Sequence, residues 1–165
     1  MNMFTKTAAL AVLLSNDFWY MHIYAKDEDF DKSHALTFKY YSTLYEDADE
    51  LMELALQENY DIINPNNVSS IFPEYNLESD KFYSYSTIIQ KSREKISIYV
   101  DSLKQLRNFT DKTDIQSKID SLLELWNKEL NYKLARRSNT PTSLNGFINT
   151  GFDDALAYIM SGGKI

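Results

Sequence analysis

Four side chains in the first third of this sequence are of metal-binding types and stand at regular spacings. His34 follows His22 by twelve residues, Asp49 follows His34 by fifteen, and Glu53 follows Asp49 by four. The two histidines are the only ones among 165 residues. Neutral imidazoles and carboxylates together suit a borderline transition-metal ion such as iron or zinc. Cysteine is absent, which excludes a thiolate site, a cysteine nucleophile and a disulfide framework, so any metal must be held by nitrogen and oxygen. The sequence also carries no glycine-rich phosphate loop, and no serine is evidently partnered with either histidine.

The elements that must position these groups are helices. With 44% apolar and 14% aromatic residues but only four glycines and three prolines, the composition predicts an all-α domain with one sizeable core. Over about residues 4–25, Leu10, Leu13, Leu14, Phe18 and Met21 recur at helical spacing as one buried stripe, and His22 falls in the last turn. The charged run 26–29 interrupts the pattern. Asp29 or Asp31 then caps a second helix, with Phe30 as an apolar anchor and His34 in its first turn. This helix reaches about residue 60 and carries two adjoining apolar stripes. Phe38, Tyr41, Tyr45, Ala48 and Met52 form one, and Tyr40, Leu44, Leu51 and Ala55 form the other. A face that wide is covered on two sides, by the domain core and by a second subunit.

The same helix sets a limit. Asp49 and Glu53 lie one turn apart on one face, and fifteen residues at ~100° each return His34 to within about 60° of it. Along the axis, however, those fifteen residues span roughly 22 Å, whereas a metal ligand stands about 2 Å from its ion. One subunit therefore cannot gather all four. Two copies packed antiparallel about a twofold axis can, with His22 and His34 of one chain facing the other's Asp49 and Glu53 in two equivalent sites.

Residues 61–79 contain Pro65, Pro73 and an Asn-Pro-Asn-Asn turn signal, which predicts a long connection with one short helical turn near 68–72. Its length is enough to cross a bundle end to end, as in ferritin-like folds. A third helix is expected over about 80–108, with Phe82, Tyr85, Ile89, Ile96, Tyr99, Leu103 and Leu106 on one face. A fourth begins at a capping box formed by Thr113 and Gln116 and turns Ile115, Ile119, Leu122, Trp126 and Leu130 inward, with Arg136 and Arg137 at its negative end. The expected architecture is a ferritin-like four-helix bundle over residues 1–138, with one long crossover between the second and third helices. Residues 139–165 form a linker and a short helix over about 152–160, docked on the bundle or attaching the protein to a larger assembly partner.

Acidic residues outnumber basic ones 24 to 17, a net charge of −7, which disfavours nucleic acid and favours cations. The apolar stretch 7–14 is too short to span a bilayer and lacks a cleavage site, so the expectation is a cytoplasmic protein without a membrane segment.

At His22, His34, Asp49 and Glu53 the sequence resembles the Dps family of mini-ferritins, whose members show the same spacing of two histidines, an aspartate and a glutamate. Phe30, four residues before His34, also matches a phenylalanine common in the family. The motif covers residues 17–54, and helix order extends the likeness loosely to residue 137. There are departures: Phe38 stands where many members carry an aspartate, so one ligand of a second metal position is missing; Ile23 replaces a frequent tryptophan; and the family's loop glycine is absent from residues 26–29. The resemblance implies ferrous iron bound and oxidised at a twofold interface by hydrogen peroxide or dioxygen, and storage of ferric mineral in a dodecamer. Trp19, Tyr20 and Tyr45 lie near enough in sequence to be candidates for quenching a radical, but the first expectation for them is core and interface aromatics. Zinc or another divalent metal is the alternative ion. DNA binding is not expected, because the chain's two ends offer only Lys6 and Lys164. The competing expectation is a non-catalytic ferritin-like structural or docking protein, for example one associated with a phage.

Overall fold

Asn2 starts the first helix by accepting the Thr5 amide on its side-chain oxygen at 2.9 Å, which satisfies an otherwise orphaned donor. The structure is a computed structural model that describes residues 1–73 and 75–137. Among these the regular elements are helical, apart from an isolated parallel bridge between Ala25 and Tyr83. The long helices are α1 (Met3–Ile23), α2 (Phe30–Gln57), α3 (Tyr85–Phe109) and α4 (Thr113–Lys128), and a 3₁₀ turn occupies Pro65–Ser70. None of the described helices is long and apolar enough to cross a membrane. The expected linker and short helix of residues 139–165 lie outside the described residues.

The chain divides into two compact units, the first comprising residues 1–73 and 77–88. In it α1 and α2 form an antiparallel hairpin. Phe4 packs on Tyr60 at one end, Ser15 donates to the Tyr41 carbonyl at 2.8 Å in the middle, and His22 meets His34 at the other end. The stripe expected on α1 is buried, but burial also takes in Ala8, Ala9, Ala11 and Val12, so over this stretch α1 is enclosed on nearly every side. Its many alanines give it no polar face to expose, and a helix apolar all round belongs inside.

On α2 one stripe is buried whole and the other in part. Tyr40, Leu44, Leu51 and Ala55 are fully buried; of the second stripe Ala48 and Met52 are buried, whereas Phe38 and Tyr45 remain 53% and 59% exposed. No side-chain cap starts this helix: Asp29 holds the N-cap position, but its carboxylate takes Lys32 instead, while Asp31 sits in the first turn. The helix stops at Asn59, whose positive φ of 58° allows the Tyr60 amide to donate to Ala55 at 2.9 Å and the Asn59 amide to Leu56 at 3.0 Å. That left-handed turn satisfies the last carbonyls, three residues earlier than the apolar pattern alone suggests.

The following connection runs the length of α1. At its start Asp61 offers its carbonyl to the Thr5 hydroxyl at 2.7 Å, near the beginning of α1. Toward its end the buried Asp17 carboxylate accepts the Glu78 amide at 2.8 Å, and the Tyr20 hydroxyl donates to Ser79 at 3.2 Å, near the end of α1. The short turn expected near 68–72 begins at Pro65, where Asn64 caps it by accepting the Asn66 amide, and it buries Val68 and Phe72. Phe82, expected inside, is 57% exposed and precedes α3, while Tyr83 is fully buried in its place. Tyr83 donates its hydroxyl to Glu78 at 2.9 Å and accepts the Asp80 amide, so a polar anchor fixes which of these neighbours points inward.

The second unit contains, of the described residues, 75–76 and 89–137. Here α3 and α4 also run antiparallel. The Arg107 guanidinium grips the Asp120 carboxylate through two bonds of 2.9 and 3.3 Å, and Tyr99 meets Trp126 edge to face at 5.6 Å. The expected capping box is not formed: Lys112 is the N-cap, and Gln116 reaches back to the Thr110 carbonyl at 2.7 Å. Ile115, Ile119, Leu122 and Trp126 are buried as expected, but Leu130 is only half-buried. A π-helical turn over Glu129–Leu134 shifts the phase so that Leu134 takes the core position. Glu129, buried in that turn, is paired with Lys133.

Candidate metal centre

The turn between α1 and α2 brings the two histidines together. Around it the Tyr83 amide donates to the Tyr24 carbonyl at 3.1 Å and the Lys26 amide to the Tyr83 carbonyl at 3.0 Å, while Asp27 accepts the Tyr85 amide at 2.7 Å. These bonds pin the reversal from outside. The last turn of α1 and the first turns of α2 then face each other, and the imidazoles of His22 and His34 lie with centroids 3.5 Å apart and planes inclined by 34°.

His22 is nearly buried, with 8% of its surface exposed. Its Nδ1 lies 3.1 Å from the His34 carbonyl oxygen and 3.3 Å from the Thr37 hydroxyl oxygen. A carbonyl can only accept, so Nδ1 carries the proton and Nε2 keeps the lone pair with which a metal is bound. Thr37 supports this tautomer because its own hydrogen is directed to the Ser33 carbonyl at 2.8 Å, which leaves its oxygen free to accept. Burial lowers the His22 pKa below its ordinary value, partly opposed by the bond to the His34 carbonyl, and the neighbouring imidazole lowers it further. His22 is thus held neutral, the form that coordinates.

The pair is walled by aromatic rings. Phe30 lies 5.1 Å from His34, on the helical turn before it, and Phe38 and Tyr41 lie 6.1 and 5.4 Å from His22. Phe38 and Tyr41 also meet edge to face at 5.2 Å. Thr37, Phe38 and Tyr41 stand three, four and seven residues after His34, so one face of α2 supplies these neighbours. Helical spacing from His34 is the signal that could have picked them out in the sequence.

The carboxylates are elsewhere. Asp49 and Glu53 share an exposed face one turn apart in the second half of α2. Among the described residues no three imidazole or carboxylate groups gather closely enough to hold an ion. One chain therefore assembles two of its four candidate ligands and leaves the other two facing outward.

Several large apolar side chains of this hairpin are exposed: Trp19 and Ile23 on α1, and Phe30, Phe38 and Tyr45 on α2, are 43–59% exposed. The charges of α2 are unevenly spread along its length: the first half carries Asp31, Lys32 and Lys39, with Lys32 paired to Asp29, and the second half Glu46, Asp47, Asp49, Glu50 and Glu53. Of the aromatic residues singled out as radical quenchers, Tyr20 stacks on Tyr24 and Tyr83 at 4.7 and 6.4 Å, and Trp19 and Tyr45 are more than half exposed. Set beside known proteins, the chain matches no family model, no curated protein and no solved structure.

Proposed function

We propose that this chain is a Dps-like, iron-binding ferroxidase and iron-storage protein of the cytoplasm, whose metal sites are completed between two copies. The observation that carries the reading is the close His22–His34 pair, with His22 Nδ1 bonded to the His34 carbonyl so that its Nε2 is left to coordinate, beside a helix that exposes Asp49 and Glu53 in its second half. Packed antiparallel about a twofold axis, two such helices would cover the exposed Phe38 and Tyr45 rings and bring the acidic second half of each α2 to the other's histidine end. Each imidazole pair then meets the partner's two carboxylates. Two nitrogens and two oxygens suit ferrous iron, and the carboxylate oxygens favour the harder ferric ion as the electron leaves to peroxide or dioxygen. Zinc would fit the same donors.

A ferritin-like crossover is supported by the connection that runs from the start of α1 at Asp61 to its end at Glu78, and a dodecamer is the assembly the resemblance implies. DNA has no part in this reading, in keeping with a net charge of −7.

The second reading is a non-catalytic ferritin-like structural or docking protein, in which the stacked imidazoles are packing for an aromatic interface. The exposed Phe38 ring beside His22, in place of a further carboxylate, is the observation that favours it. Anaerobic titration with ferrous iron followed by peroxide separates the two. The ferroxidase reading expects saturable binding and fast oxidation, both lost in His22→Ala combined with Asp49→Ala. Equal oxidation in parent and variant supports the structural protein.

A further inference from the structure

We draw no further inference here: the strongest candidate, the exposed surface patch at the end of α4 where the Arg136 guanidinium stacks on the Tyr132 ring at 4.0 Å one turn beyond Lys128, carries nothing further, because nothing in the structure shows what covers it.

Discussion

The imidazoles of His22 and His34 stack at 3.5 Å between centroids, although twelve residues separate them in the chain. The contact exists because α1 ends and α2 begins on either side of a short reversal fastened to Tyr83 and Tyr85. It places two of the four candidate ligands side by side and leaves the other two, Asp49 and Glu53, on open surface.

Stability should fall in mild acid because of His22. Its folded pKa lies below the ordinary value of about 6.5, so at pH values beneath 6.5 the unfolded chain binds a proton that the folded chain resists. The contribution of neutral His22 is fully present above pH 6.5 and is lost as pH drops from there through the depressed folded pKa. Denaturant midpoints measured from pH 8 to pH 5 should decline below 6.5 in the parent and be flatter in His22→Asn, once the acidic residues common to both are subtracted. A parallel decline in the two would assign the effect elsewhere.

Thr37→Val should loosen the pair without abolishing it. The substitution keeps the shape but removes a buried hydroxyl that serves the Ser33 carbonyl and His22 Nδ1, a loss of about 1 kcal/mol in unfolding free energy. The His34 carbonyl still holds the Nδ1 proton, so metal affinity should fall modestly. Chemical denaturation and metal titration of the same sample check both halves. A variant as stable as the parent would show that Thr37 does not support His22.

Asp49→Asn with Glu53→Gln should separate binding from folding. Both side chains are exposed, so unfolding free energy should stay within about 0.5 kcal/mol of the parent. Metal affinity should fall by more than about 100-fold, since groups that merely orient ligands already cost 10- to 100-fold. Calorimetry with ferrous or zinc ion gives the affinity and thermal unfolding the stability. Unchanged affinity would remove these carboxylates from the site.

Much of the first unit was legible in the sequence, because α1 and α2 are long, strongly periodic, and separated by a charged run that cannot continue either. The separation of His34 from Asp49 followed from helix rise alone, and the two remain apart within the chain. What escaped depended on contacts outside each helix. The exclusion of Phe82 in favour of Tyr83 turns on hydrogen bonds to Glu78 and Asp80. The inward turn of Leu134 depends on a π-helical turn that no local propensity signals. Asp29 had a capping residue's chemistry, but Lys32 competed for its carboxylate. At the site, Thr37, Phe38 and Tyr41 could be placed on the face of His34, but their approach to His22 required knowing how α1 and α2 are staggered.

Imidazoles from one chain and carboxylates from another, as proposed, can be told from any one-chain site by isolating, through two different tags, the mixed dimer of one chain carrying His22→Ala and His34→Ala with another carrying Asp49→Ala and Glu53→Ala. In that dimer one site loses all four ligands and the other keeps all four, so it should bind half as much metal per chain as the parent, while either variant alone binds none. A mixed dimer that binds no more than the separate variants would contradict the account.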